Sequence, residues 1–156
     1  MLGRVGETYR VLGKYATAIA VLEQAVKQDP QNEGYGLSLA RSYGSAGQQH
    51  QAIEQYETLI GINPGNVWYY AEMGHRYKAL KDYDEALAQY QKALEINPDL
   101  WHALYYQGYV YRELERYNEA IEYYQQALEV NPDYYWSRLY CGLSYAGKGD
   151  QASAIE

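Results

Sequence analysis

Residues 67–100 read VWYYAEMGHRYKALKDYDEALAQYQKALEINPDL, and the same pattern recurs on both sides of this stretch. Pro30, Pro64, Pro98 and Pro132 follow one another at a constant interval of 34 residues. A fixed interval of this length indicates one supersecondary unit copied along the chain, and each copy is too small to bury its apolar face alone. We therefore predict a stack of repeats that pack against their neighbours.

Aligned on the prolines, three repeats are complete and two are partial. The complete repeats are 33–66, 67–100 and 101–134, and the partial ones are 1–32 and 135–156. Within each complete repeat, apolar residues twice follow the i, i+3, i+4, i+7 spacing of an amphipathic helix. The sequence predicts an all-α single domain over 1–156, with roughly ten helices of about 12 to 15 residues, the last one cut short.

Small residues recur at two positions of the repeat. These are Gly6, Ala40, Gly74, Gly108 and Gly142 at one position, and Ala18, Ala52, Ala86, Ala120 and Ala154 at the other. Small side chains are needed where two backbones approach closely, because a longer side chain would hold the helices apart or strain the core. We expect both positions to be helix contacts. Each second helix is predicted to end at an Asp-Pro or Asn-Pro pair, since proline disfavours the α conformation in the residue before it.

The repeats resemble tetratricopeptide repeats, a family of 34-residue helix–turn–helix units. The residues that carry the resemblance in 67–100 are Trp68, Met73, Gly74, Tyr77, Tyr83, Ala86, Tyr90, Ala93 and Pro98. The chain departs from the family pattern at a few positions. Leu22, Leu59 and Gln107 stand where the other repeats follow the pattern more closely. The resemblance implies a right-handed α–α superhelical solenoid of about 4.5 repeats, with a concave groove that is lined by the first helix of each pair and receives a peptide.

The groove-side positions have two distinctive properties. Arg4, Arg10, Arg41, Lys78 and Arg112 there outnumber Glu7, Glu72 and Glu113, whereas the whole chain has a net charge of −7. A locally basic groove attracts acidic segments. The groove side also becomes aromatic toward the carboxyl end, and tyrosine and tryptophan dominate binding hot spots.

We therefore predict that a protein or peptide ligand, acidic or rich in aromatic residues, binds in the groove. The predicted peptide-binding residues are Arg41, Trp68, His75, Lys78, His102, Tyr105, Tyr106, Tyr109, Arg112, Trp136 and Tyr140. A subclass of the family clamps the acidic tails of chaperones with a set of Lys, Asn and Arg residues, and this chain does not reproduce that set. Several of the tyrosines have a simpler explanation, because a chain with 21 Tyr and no Phe also uses tyrosine for ordinary core packing.

Motifs of catalysis, metal binding and cofactor binding are absent from the sequence. It contains no GxxxxGK[ST], GxGxxG or GxSxG motif, and His50, His75 and His102 have no metal-ligand spacing. The single cysteine, Cys141, is predicted to be a buried structural thiol. We expect a protein that is not an enzyme and has no cofactor or metal.

Composition argues against two further classes. A pI near 5.0 leaves no general surface for nucleic-acid phosphates. No apolar stretch approaches the ~20 residues of a membrane span, and no secretory signal is visible at the amino terminus. We expect a cytoplasmic protein, although the chain begins and ends inside helices and so resembles a segment from which a signal could have been removed.

Two alternatives to peptide binding remain open. Repeat stacks normally finish with a polar capping helix, but the last predicted helix here is followed by a short segment that contains Ala154 and Ile155. An uncapped apolar end favours head-to-tail self-association. The second alternative is a regulatory repeat segment of a larger enzyme, which would have no activity by itself.

Overall fold

The computed structural model describes residues 2–149, and every regular element in this range is an α-helix. The nine helices are α1 (Leu2–Val11), α2 (Tyr15–Gln28), α3 (Glu33–Ser45), α4 (Gln49–Ile62), α5 (Val67–Leu80), α6 (Tyr83–Ile96), α7 (Trp101–Glu113), α8 (Tyr117–Val130) and α9 (Tyr135–Lys148). The predicted all-α class and the two helices per repeat are confirmed within 2–149. The predicted tenth helix falls outside the described residues.

The chain divides into two compact units. The N-terminal unit, residues 1–82, contains α1 to α5, and the C-terminal unit, residues 83–156, contains α6 to α9. In the N-terminal unit each helix packs against the next, and α1 also contacts α3. In the C-terminal unit α6, α7, α8 and α9 pack in the same consecutive manner, with α7 also against α9. The prediction that 1–156 forms a single domain stays a prediction.

The two positions of small residues are helix contacts, as predicted. Ala18, Ala52, Ala86 and Ala120 each have 0% exposed surface. A Cβ added to Gly6 would overlap the Leu22 side chain, and a Cβ added to Gly108 would lie 2.9 Å from the Tyr124 ring. The helices of these pairs therefore touch at a distance that only a small residue allows. Ala154 lies outside the described residues.

The second helix of each repeat ends just before its proline. Helices α2, α4, α6 and α8 end at Gln28, Ile62, Ile96 and Val130, two residues before Pro30, Pro64, Pro98 and Pro132. The prediction of helix termination at the Asp-Pro and Asn-Pro pairs is confirmed.

The turn after each first helix has the same backbone conformation in every repeat, although the residue type at the turn differs. A positive φ recurs every 34 residues, at Gly13 (72°), Gly47 (79°), Lys81 (64°), Glu115 (58°) and Gly149 (89°). Glycine adopts this left-handed conformation without a steric penalty, whereas residues with a Cβ are disfavoured there. Lys81 and Glu115 therefore hold a conformation that the repeat imposes on them.

A partly exposed carboxylate links three parts of the N-terminal unit. Glu33, the first residue of α3, accepts hydrogen bonds from the Tyr69 hydroxyl at 2.6 Å and from Asn63 Nδ2 at 3.1 Å. These bonds, the one from Tyr69 above all, lower the pKa of Glu33 below its usual value of 4.5. The contact fixes the start of α3 against α5 and against the residue that caps the end of α4.

Candidate functional site

The predicted site residues all lie on first helices of the repeats, and the structure divides them between the two units. Arg41 lies on α3, and Trp68, His75 and Lys78 lie on α5, all in the N-terminal unit. The other seven lie on α7 or α9 in the C-terminal unit: His102, Tyr105, Tyr106, Tyr109, Arg112, Trp136 and Tyr140. Each unit has a candidate surface of its own.

In the N-terminal unit, two arginines converge on one carboxylate. Arg41 Nη2 on α3 lies 3.8 Å from Glu72 Oε1, and Arg76 Nη2 lies 3.7 Å from Glu72 Oε2 on the same helix, α5. Charge-assisted hydrogen bonds are shorter, at about 2.7–2.9 Å. Glu72 therefore attracts both guanidinium groups without closing a hydrogen bond to either. We call Arg41, Glu72 and Arg76 the arginine triad.

Arg76 was not among the predicted site residues, and a glycine explains its position. Its guanidinium group lies over Gly44 on α3, where an added Cβ would overlap Arg76 Nη1. At the position of Gly44, three of the other first helices have Arg10, Lys78 and Arg112, and α9 has Ala146. This single small residue was the only signal in the sequence that a long side chain from α5 could lie here.

A buried tyrosine, Tyr56, is electrostatically coupled to the arginine triad. Tyr56 on α4 has only 1% exposed surface. Burial is the main cause that raises the pKa of its hydroxyl, and the negative charge of Glu72 adds to the effect, while Arg76 and Arg41 oppose it. The hydroxyl of Tyr56 therefore lies within electrostatic range of all three members of the triad.

The other acidic residues on the predicted groove side are also paired with arginine. Arg10 donates to both carboxylate oxygens of Glu7, at 2.6 and 3.0 Å, and the pKa of Glu7 is lowered chiefly by this hydrogen bond. Glu113 Oε1 lies 3.3 Å from Arg112 Nη1. Pairing reduces the positive potential that the sequence predicts for the groove side, most completely at Arg10.

The net charge of the chain is confined to one half of the sequence. Residues 1–82 contain eight Lys or Arg and eight Asp or Glu, whereas residues 83–156 contain five and twelve. The N-terminal unit is thus neutral overall and the C-terminal unit has the full formal charge of −7. An acidic ligand is repelled less by the N-terminal unit, where the arginine triad lies.

In the C-terminal unit, aromatic rings from α7 and α9 come together with an arginine. Tyr109 meets Tyr140 edge to face with ring centroids 5.7 Å apart, and Trp136 stacks on Tyr140 at 6.2 Å. Arg112 Cζ lies 5.3 Å from the centroid of the Tyr140 ring. We call Tyr109, Arg112, Trp136 and Tyr140 the aromatic face. Trp136 is 48% exposed, so this face offers apolar area to a partner.

The structure places Tyr105 in the core and not on the groove surface that the sequence predicted. Its side chain is 6% exposed and lies among Tyr124, Tyr134 and Tyr140, with ring centroids 5.1 to 6.1 Å away. Burial raises the pKa of its hydroxyl. Tyr105 supports Tyr140 from below, because the pair pack against each other and only Tyr140 reaches the surface.

The remaining predicted residues are partly buried or exposed. Tyr106 stacks on Tyr90 with ring centroids 5.9 Å apart, and His102 stacks on Trp101 at 3.4 Å. Burial lowers the pKa of His102. Trp68 is 47% exposed at the start of α5, and His75 and Lys78 are partly buried on the same helix.

Two further expectations from the sequence concern the cysteine and metal ligands. Cys141 is buried, as predicted, and burial raises the pKa of its thiol, which opposes nucleophilic reactivity. Residues 2–149 contain no group of three or more His, Cys, Asp or Glu arranged to hold a metal ion. None of the helices in this range is long and apolar enough to cross a membrane.

Family models match three stretches of the chain. The tetratricopeptide repeat model matches residues 102–134, and a second model of the same repeat matches residues 74–111. The model of the bacterial transcriptional activator domain matches residues 2–65. A search of curated protein sequences gives no match.

Solved structures of repeat proteins have the same fold. A crystal structure of MamA protein is 25% identical, with a TM-score of 0.86 over 99% of this chain and 84% of that one. A thermophilic TPR protein from Thermus thermophilus is 26% identical, with a TM-score of 0.76 over 98% of this chain and 84% of that one. A tetratricopeptide repeat protein from Parabacteroides merdae, 22% identical over 98% of this chain and 61% of that one, has a TM-score of 0.86 and supports the fold alone.

The repeat interval, the helix pairs and these matches together define an all-α helical-repeat protein of the interaction-scaffold class. The resemblance to the tetratricopeptide repeat family is confirmed over residues 74–134, which the two models of this repeat match together.

Proposed function

We propose that this chain is a non-catalytic interaction module that binds a peptide segment of a partner protein on the first helices of its repeats. The observation that carries the proposal is the aromatic face. Tyrosine and tryptophan offer large contact areas at low entropic cost, and they are enriched, with arginine, among residues that dominate binding energy. Tyr109, Trp136 and Tyr140 provide such an area beside the guanidinium group of Arg112.

A matched pair of tyrosine variants tests the aromatic face. Tyr109→Ala removes a ring of the face, while Tyr123→Ala removes a similarly half-buried ring that stacks on Tyr111 outside it. Truncating a central aromatic residue typically costs about 2 kcal/mol or more in binding. With a partner captured by the wild-type protein, we expect Tyr109→Ala to weaken affinity by roughly thirtyfold or more and Tyr123→Ala to leave it unchanged.

Arginine offers a second matched pair. Arg112 and Arg116 each lie over a tyrosine ring and pair with a glutamate, but only Arg112 belongs to the aromatic face. We expect Arg112→Glu to weaken partner binding and Arg116→Glu to have no effect, with both variants as helical as the wild type. Equal affinities for wild type, Tyr109→Ala and Arg112→Glu would refute the assignment of the aromatic face.

Self-association is the second candidate function, and one observation favours it. The C-terminal unit has a depression of about 600 Å³ between α8 and α9, lined by Leu128, Leu139 and Leu143 among others, and Leu143 is 43% exposed. Ala154 and Ile155, which the sequence analysis proposed for this contact, lie outside the described residues. Light scattering at increasing concentration tests the idea: growth that Leu143→Glu abolishes and Ile96→Glu leaves intact supports it, and a monomer throughout refutes it.

The match of residues 2–65 to the bacterial transcriptional activator domain model is compatible with an interaction module that forms one part of a larger regulator. The alternative of a regulatory segment of a larger enzyme stays a prediction, and it expects an activity assay of this segment to be blank. Both possibilities keep the aromatic face as the binding surface. A cytoplasmic location stays a prediction.

A further inference from the structure

The arginine triad has the features of an anion subsite whose own carboxylate is loosely held. Glu72 lies 3.8 Å from Arg41 and 3.7 Å from Arg76, too far for charge-assisted hydrogen bonds. The Arg41 side chain is 46% exposed, whereas that of Arg76 is 23% exposed and its Nε is buried without a hydrogen-bond acceptor. Arg41 is therefore the member that an incoming ligand reaches first.

The pairing at Arg10 shows how a closed ion pair differs from the triad. Arg10 donates two hydrogen bonds to Glu7, at 2.6 and 3.0 Å. Such a two-pronged pair uses the planar fork of the guanidinium group, and a competing anion would have to break both bonds. At Glu72 no hydrogen bond to arginine has to be broken, because neither distance is short enough for one.

The charges around the triad select an anionic ligand. Arg41 and Arg76 contribute two positive charges and Glu72 one negative charge, and the N-terminal unit as a whole is neutral, with eight basic and eight acidic residues. The acidic C-terminal unit has no comparable pair of arginines on one carboxylate among the ion pairs of residues 83–149. Carboxylates of an acidic peptide therefore have their favourable site on the N-terminal unit.

We propose that the arginine triad binds a carboxylate of an acidic peptide segment through Arg41, and that Glu72 limits the affinity because its negative charge competes for Arg41 and stays beside the bound carboxylate. This inference rests on the proposed peptide-binding function and specifies the ligand chemistry of its N-terminal unit. Arg76 keeps Glu72 in place when Arg41 turns to the ligand, since Glu72 and Arg76 are four residues apart on one helix. Glu72 thereby acts as a built-in competitor.

The proposal makes an uncommon prediction: removing one charge strengthens binding. The probe is a fluorescein-labelled hexaglutamate peptide, with hexaglutamine as the uncharged control, and affinity is read from fluorescence anisotropy at low ionic strength. Removing a like charge about 4 Å from the bound carboxylate is expected to tighten binding by about fivefold in a solvent-exposed site. We expect this gain for Glu72→Gln with hexaglutamate and no gain with hexaglutamine.

Three further variants make the outcome specific. Glu57→Gln removes the same charge from an exposed position of α4 and is expected to leave affinity unchanged. Arg41→Gln is expected to weaken hexaglutamate binding, and Arg41→Gln combined with Glu72→Gln to lose the gain of the single glutamate change. If Glu72→Gln does not fold, Arg41→Gln remains a test by itself, because full affinity in that variant contradicts the proposal.

Three results would overturn the inference: no gain with Glu72→Gln, an equal gain with Glu57→Gln, or a gain that persists without Arg41. A negative result for the arginine triad can be distinguished from a negative result for the proposed peptide-binding function. If Tyr109→Ala weakens capture of a partner while Glu72→Gln leaves hexaglutamate affinity unchanged, the interaction module stands and the triad is only structural.

Discussion

Gly108 on α7 provides the most direct test of the helix contacts, because adding one methyl group there should separate two helices. A Cβ at this position would lie 2.9 Å from two carbons of the Tyr124 ring and 3.1 Å from the backbone oxygen of Ala120 on α8. Carbon atoms in contact normally stay about 3.5–4.0 Å apart. Helix α7 would therefore have to move by roughly 0.6–1 Å, or the buried Tyr124 ring would have to leave its position.

The expected cost of Gly108→Ala follows from two opposing effects. Overpacking a well-packed core typically costs about 1–3 kcal/mol, and replacing glycine by alanine inside a helix returns up to about 1 kcal/mol. We expect a net loss of about 1–2 kcal/mol in the free energy of unfolding, which corresponds to about 2–4 °C per kcal/mol in melting temperature for a domain of this size.

Gly61 is the matched control. It lies on α4, is exposed, and has no atom within 4 Å of an added Cβ. Gly61→Ala is therefore expected to stabilise the protein by about 0.5–1 kcal/mol through helix propensity alone. Urea unfolding followed by circular dichroism compares both variants with the wild type. A Gly108→Ala protein as stable as the wild type or more would refute the close approach of α7 and α8.

Other predictions concern the turn, the Glu33 contact and the second position of small residues. Glu115→Gly should raise the melting temperature, since relieving a left-handed conformation is worth about 1 kcal/mol; a lower value would contradict the strain. The lowered pKa of Glu33 contributes stability that is present above pH 4.5 and is lost as the pH falls through the folded-state pKa. In urea titrations the stability advantage of wild type over Glu33→Gln should therefore shrink below pH 4.5. A difference that stays constant with pH would contradict this prediction. Ala120→Leu should unfold the C-terminal unit by overpacking, and a native circular dichroism spectrum at 25 °C would argue against this contact.

The fold was predictable because its information is repeated. Four prolines at one interval mark the ends of the second helices. Where one repeat departs from the pattern, the helix assignment still follows from the other repeats. The left-handed turn was predictable only where glycine occupies it, at Gly13, Gly47 and Gly149. At Lys81 and Glu115 the residue types give no indication, since the conformation there is imposed by the packing of the two helices that the turn joins.

The site was predictable in its helices and only partly in its residues. Tyr105 was predicted to lie on the surface, but tyrosine in this chain occurs both in the core and on the surface. The residue type alone therefore does not distinguish a buried tyrosine from an exposed one. Arg76 was missed for the opposite reason. Its direction depends on the space that Gly44 leaves on another helix, and spacing within α5 alone contains no information about that neighbour.

The two candidate surfaces should respond differently to salt, and this difference separates their contributions to a single partner. Binding at the arginine triad is electrostatic between partly exposed groups, so it weakens as the Debye length falls from about 10 Å at 0.1 M salt to about 3 Å at 1 M. Binding at the aromatic face depends mainly on apolar area, which salt does not weaken. A partner whose affinity is insensitive to salt therefore uses the rings of Tyr109, Trp136 and Tyr140. A partner whose affinity falls steeply uses Arg41 if Arg41→Gln removes the salt dependence and Arg112→Gln does not.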